Sequence, residues 1–109
     1  MRNEVVSDAV SAVLRYSFFT KLEALSFVEK MYVYGSRARN EASERADIDL
    51  AISAPRATEK DWNKVMEILD AADTLLKIDC VWLESLDAAD LLRKNILEDG
   101  KAIFTRKNS

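Results

Sequence analysis

The sequence predicts an α/β (α+β) domain, a small mixed β-sheet of about four strands with helices packed mainly on one face. Three observations carry this prediction. In some segments the apolar residues recur at three- and four-residue spacing, and in others they alternate or cluster with β-branched and aromatic residues. The two kinds of segment take turns along the chain, helix then strand, four times over. The 109 residues are 49% apolar and 32% charged, with two glycines and one proline, which suits one compact domain over residues 1–109 and not a disordered chain.

From Asn3 to about Leu25, the residues Val6, Val10, Val13, Leu14, Leu22 and Leu25 mark one face of an amphipathic helix, which "SFFT" at 17–20 divides in two. "KMYVY", 30–34, is a strand that stops at Gly35 in a tight turn, and "SRARNEAS", 36–43, starts a short polar helix. "DIDLAI", 47–52, is the second strand, with Ile48, Leu50 and Ile52 on one face and Asp47, Asp49 and Ala51 on the other. "SAPRA" ends it. Thr58 and Asp61 have capping-box spacing, and Trp62, Val65, Met66 and Leu69 mark the buried face of a helix that runs to about Ala71. "LLKIDCVWL", 75–83, is the third strand. A helix from about Leu86 stops before Gly100, read as its C′ residue, and "KAIFT" closes the sheet. Trp62 and the pair Phe18-Phe19 are read as core residues in preference to partner contacts.

Composition excludes several functions. The net charge is −3 and no Lys/Arg run exists, so direct nucleic-acid binding is not expected. No apolar run approaches the roughly 20 residues that span a bilayer, and "MRNEVVSDAV" does not read as a signal peptide, so no membrane association and a cytoplasmic location are expected. The single cysteine, Cys80, lies in an apolar run and reads as a small buried side chain. The absence of histidine removes Ser-His and Cys-His nucleophile pairs and most zinc sites. Chemistry must run on carboxylates, hydroxyls, backbone amides and cations.

Asp47 and Asp49 are two apart on a strand and so project to the same side. Two anions that close repel one another, and a divalent cation between them reverses the sign of the interaction. Mg²⁺ takes hard oxygen ligands, one or two carboxylates with water and substrate phosphates completing the shell. The plainer alternative is a solvated edge strand whose charges block aggregation. The turn upstream favours the site. A strand that ends in Gly35-Ser36 and feeds a helix offers free backbone N–H groups, a dipole and a hydroxyl to a phosphate, although both residues also suit an ordinary turn. Asp79 interrupts an apolar strand whose Ile78, Cys80 and Trp82 share the core face. It therefore faces the side where Asp47 and Asp49 lie if the strands are neighbours, or else it is a strand-edge acid paired to a Lys or Arg.

Gly35-Ser36, ten residues, Asp47-Ile48-Asp49, then Asp79 on a later strand resembles the pattern of the minimal nucleotidyltransferases of the DNA polymerase β-like superfamily. The likeness extends from about Val28 to Phe104 and includes the closing "LRKNILEDGKAIF". It implies the polymerase β-like fold and Mg²⁺-dependent transfer of AMP from ATP to a hydroxyl, with two Mg²⁺ ions, or Mn²⁺ in their place. By the resemblance Gly35 and Ser36 hold the terminal phosphates, Asp47, Asp49 and Asp79 bind metal, and Asp79 helps to deprotonate the acceptor. Arg37 and Arg39 match the family's "GSRAR" as phosphate contacts or as braces for the acidic strand. Asn40 and Ala46 depart from the family's usual "GSRARG" and "SDID", and neither is a proposed ligand.

Such proteins resemble antitoxins of HEPN-domain ribonuclease toxins that add AMP to a tyrosine of the toxin. The implied partner is therefore a cognate HEPN protein. Two alternatives are a non-catalytic antitoxin that masks the partner, which would not need three acids, and a nucleotidyltransferase for a small molecule such as an aminoglycoside, which would need an acceptor domain.

Overall fold

The computed structural model describes residues 8–39 and 47–107. Four strands, β1 (Lys30–Val33), β2 (Ile48–Ser53), β3 (Ile78–Trp82) and β4 (Lys101–Thr105), form one sheet in the order β3-β2-β1-β4. β1 is antiparallel to both β2 and β4, while β2 and β3 are parallel, so the sheet is mixed as expected. The helices are α1 (Asp8–Ser11), α2 (Ser17–Glu23), α3 (Glu59–Asp70) and α4 (Leu91–Asp99), with 3₁₀ turns at Ala12–Arg15 and Leu83–Ser85.

Alternation along β2 separates two cores. Ile48, Leu50 and Ile52 join Met31, Val33, Val10, Phe18, Leu22 and Val65 beneath α1, α2 and α3. Each such side chain stabilises the fold by about 1.5–3 kcal/mol relative to exposure. Ala51 points the other way and meets Leu83 and Ile96, with Tyr32, Tyr34, Val81 and Leu92 around them. Among the described residues, α4 covers this second face together with the 3₁₀ turn that carries Leu83. Phe18 and Phe19 are buried, and Trp62 stacks on Trp82 with centroids 5.4 Å apart, so these aromatics are core as expected. The Trp82 indole N–H donates to the Ala54 carbonyl, and Glu84 accepts from Ser53 Oγ and Ala54 N, which closes the far end of β2.

Several expected boundaries move, for local reasons. The first helix breaks at Tyr16, whose backbone is extended, and residues 3–7 lie outside the described residues. Between α1 and that break the chain tightens to 3₁₀ pitch, where residues three apart eclipse. Val10 and Val13 therefore share the buried side, and Leu14, expected beside them, is exposed. Met66 also turns out of the α3 interface, and Ile68 contributes in its place. The third strand begins at Ile78, not at Leu75, because β2 offers its first partner, Ile48, only there. α4 begins at Leu91, not at about Leu86. Asp90 caps it by accepting from Leu92 N at 2.8 Å, whereas the Ser85 hydroxyl donates to the Trp82 carbonyl. Gly100 ends α4 in an extended conformation and not in the left-handed one of a C′ glycine. Its requirement is steric, since a Cβ there would run into the Ile96 carbonyl oxygen.

Arg106 lies just past the last predicted strand and reaches far back along the chain. Its Nη2 donates to the carbonyls of Glu23 and Leu25 and its Nε to that of Val28, at 2.6, 2.9 and 2.8 Å, while the guanidinium lies over the Phe104 ring. These carbonyls belong to the C-terminal end of α2 and the loop after it, where helix oxygens lack partners of their own. Arg106→Ala is expected to destabilise the protein by about 2 kcal/mol, read by urea denaturation, because it takes the guanidinium from three carbonyls, of which, among the described residues, only that of Leu25 keeps another donor, the Val28 N–H. Arg106→Lys should recover little of that loss, since an ammonium cannot present the planar fork.

Candidate active site

β1 stops pairing formally at Val33, but the Tyr34 N–H donates to the Asp49 carbonyl at 3.0 Å and carries the ladder one residue further. Tyr34 therefore lies opposite Asp49, and Asp49 is the register partner of Asp79 on β3. Residues directly opposite across paired strands project to the same face, so Tyr34, Asp49 and Asp79 form one row across three strands. Asp47 is exposed, just before β2 and on the same side. The sequence expectation that Asp79 would face the Asp47–Asp49 side holds through this register.

After Tyr34 the chain turns at Gly35 with φ +73°, a left-handed conformation that few other residues adopt without strain. A Cβ at this position would lie 2.5 Å from Asp49 Oδ2. The turn thus brings its backbone against the carboxylate, and only glycine allows both the conformation and the approach. Among the described residues, the backbone N–H groups of Gly35 and Ser36 and the Ser36 hydroxyl have no hydrogen-bond partner in the protein. Arg39 N donates to the Gly35 carbonyl at 3.1 Å, one helical turn, and the remainder of the expected polar helix, with Asn40 and Ala46, lies outside the described residues.

Arg37 is fully buried, at 1% exposure, and is the one charged side chain in the buried class among the described residues. Its Nε donates to the Asp47 carbonyl at 3.2 Å. A buried guanidinium persists only where hydrogen bonds and charges compensate its lost hydration, and here it fastens the turn to the entry of β2. Arg39 is exposed at the outer end of the same turn.

The acids repel as their positions require. The Asp49 carboxyl is pushed above the ordinary carboxylate range by its partial burial, then by Asp79 and Asp47, with Lys77 and Arg37 opposing the shift. Asp79 has a loose ion pair with Lys77, Nζ to Oδ1 3.7 Å, with the Lys77 side chain 68% and the Asp79 side chain 49% exposed. The Tyr34 phenol is pushed up to about 12 by burial and then by Asp49 and Asp79, so it stays protonated at neutral pH. Burial likewise pushes the Cys80 thiol up to about 12, as suits a packed and unreactive side chain.

Tyr34 and Lys77 are the neighbours that sequence reasoning passed over. Tyr34 was absorbed into the pattern of an apolar strand. Lys77 carried a readable signal, because it stands two residues before Asp79 and so leaves the strand on the same side.

The donor set suits a hard divalent cation. It consists of carboxylate oxygens, one of which is raised by burial and then by its neighbours' repulsion, beside a turn with free N–H groups for an anion. Among the described residues no three side chains form a closed cage around an ion. Mg²⁺ characteristically uses one or two carboxylates and draws its other ligands from water and phosphate. No described helix is long and apolar enough to cross a membrane.

Comparison with known proteins bears on the family and the fold. The family model described as "Polymerase beta, Nucleotidyltransferase" matches residues 19–109. No curated protein matches the chain. Among solved structures, a mutant of the toxin–antitoxin MntA–HpeT is similar at TM-score 0.52 and 17% identity, over 84% of this chain and 75% of that one. A toxin–antitoxin with AMP-PNP is similar at TM-score 0.54 and 19% identity, with the same coverage. A Sulfolobus solfataricus protein described as a nucleotidyltransferase is similar at TM-score 0.54 and 16% identity, over 97% of this chain and 93% of that one. At these identities the structures share the fold.

Two outcomes follow from the geometry. Gly35→Ala should cost about 1–3 kcal/mol in urea denaturation, because it combines a strained φ with a Cβ driven at Asp49. For Asp49, the folded state holds the proton more tightly than the unfolded state. Stability therefore falls as pH rises from the ordinary carboxylate value through the raised one, and stays lowered above it. Asp49→Asn should consequently melt above wild type at pH 7 in chelator, and the difference should close below about pH 4.

Proposed function

This chain belongs to the polymerase β nucleotidyltransferase family, and from that premise we propose that it transfers AMP from ATP to a tyrosine hydroxyl of a cognate HEPN toxin, as the antitoxin of the pair. The single observation that carries the site assignment is the approach of the Gly35 backbone to the Asp49 carboxylate, with Asp79 in register beside it. A phosphate seat and an acid row in contact suit a triphosphate that arrives with its metal. The toxin partner is supported by likeness to structures of toxin–antitoxin proteins, one with AMP-PNP. The HEPN identity and the tyrosine acceptor rest on the motif resemblance. A cytoplasmic location belongs to the same proposal.

In this reading the N–H groups of Gly35 and Ser36 and the Ser36 hydroxyl bind the terminal phosphates and hold the leaving pyrophosphate. Asp47 and Asp49, joined by Asp79, are the residues that would hold Mg²⁺. When bound, the metal supplies charge neutralisation at the transferred phosphoryl group and polarises its oxygens. Asp79, on the side of the row away from the Gly35 turn, accepts the proton of the attacking hydroxyl. Arg37 acts from below by fixing the backbone at Asp47 and is a brace, while Arg39 is exposed at the outer end of the turn, on the solvent side from which a phosphate would arrive. Tyr34 stays protonated and offers its hydroxyl as a donor on the pyrophosphate side.

The test is incubation with α-labelled ATP and Mg²⁺, with and without the HEPN partner, for wild type and the variant carrying Asp47→Asn and Asp49→Asn. Wild type should label the partner. Loss of an outer-shell group alone typically costs 10–100-fold, so removal of both inner acids should reduce labelling by at least about a hundredfold. Label that survives the double substitution would sink the metal assignment. A partner that is silenced but never labelled would instead favour the masking antitoxin.

A further inference from the structure

Two cations oppose the upward shift of the Asp49 carboxyl, and they differ in kind. Arg37 is buried and tied to the Asp47 carbonyl, so it cannot move without disturbing the turn. Lys77 is 68% exposed, on a long flexible stem at the start of an edge strand. Its backbone is held, because its carbonyl accepts from Ile48 N at 2.9 Å directly after Asp47. Its side chain leaves on the same side as Asp79, two residues on. The ammonium meets the Asp79 carboxylate at 3.7 Å, close to the outer limit of an ion pair. It is therefore anchored at its root and exchangeable at its tip.

We propose that Lys77 is the resident counter-ion of the acid row, holding Asp79 while no divalent cation is bound and releasing it when one arrives. This rests on the metal-site reading of the three aspartates. A divalent ion displaces the ammonium because it brings twice the charge to one hard centre that carboxylate oxygens prefer. Lys77 is thus a positioning residue that acts through Asp79, and it makes metal entry an exchange of cations. An acid row without such a substitute would carry its full repulsion whenever the metal is absent.

The exchange has a signature that a purely structural lysine lacks. Lys77→Met should bind Mn²⁺ alone, read by electron paramagnetic resonance, about two- to fivefold more tightly than wild type, the scale of an exposed ion pair. In an Asp79→Asn background the same substitution should give no such gain, because its target is gone. Metal-free melting provides the second readout. Lys77→Met should lower the melting temperature by about 2 °C, and by much less when Asp79→Asn is present. Lys64→Met, on α3, is the control and should change neither quantity.

An equal gain in both backgrounds would show general charge repulsion and overturn the proposal, as would no gain at all. Wild type that binds no Mn²⁺ would overturn the metal-site reading itself, a result distinct from either of these.

Discussion

The site depends on the pairing of β1 with β2 and of β2 with β3, which fixes Tyr34, Asp49 and Asp79 in one line. Side chains on flexible loops would let three acids separate to relieve their repulsion, whereas hydrogen-bonded neighbours stand about 5 Å apart and have no such freedom. The backbone ladder, paid for by two hydrophobic cores on opposite faces, is what keeps like charges together. Arg37 extends this constraint beyond the sheet, since its bond to the Asp47 carbonyl ties the phosphate turn to the strand that carries the acids.

Stability and chemistry are divided along the strands. The far end of β2 is closed by the Trp62–Trp82 stack, the Trp82 bond to Ala54 and the Glu84 carboxylate. Arg106 gathers carbonyls from α2 and the loop after it at the same end, where Lys30 pairs with both Ser53 and Thr105. The other end, with Gly35 and the acids, is tied by Arg37 to the Asp47 carbonyl and, among the described residues, keeps free N–H donors at Gly35 and Ser36 and exposed carboxylates at Asp47 and Asp79. On the face that carries the aspartates, α4 roofs Ala51 and leaves the aspartate row beside it open.

Much of this was legible in the residues. Alternation in "DIDLAI" gave the correct face to each acid, and the spacing from Gly35-Ser36 pointed to the family that the chain matches. What was not legible depends on contacts distant in sequence or on choices between local hydrogen bonds. The start of β3 follows from where β2 begins, which no property of Leu75 or Leu76 reveals. The start of α4 follows from the Ser85 hydroxyl choosing the Trp82 carbonyl while Asp90 takes the cap. Arg37 could be read from the sequence as a phosphate contact or as a brace for the acidic strand, and the burial that makes it a brace comes from the turn at Gly35 folding it inward. Arg106 bonds to carbonyls about eighty positions away, beyond the reach of any periodicity.

The unfavourable setting of the Asp49 carboxylate also bears on mutational drift. Most of the cores and ties that hold this chain together would survive replacement of the acids, and the replacement relieves repulsion. Loss of the Asp49 carboxylate is therefore downhill in folding free energy and leaves the scaffold intact, whereas Asp79 keeps the Lys77 ion pair. Folding alone gives Asp49 no support, so one substitution there would carry an enzyme of this kind toward an inert binder without cost to its scaffold.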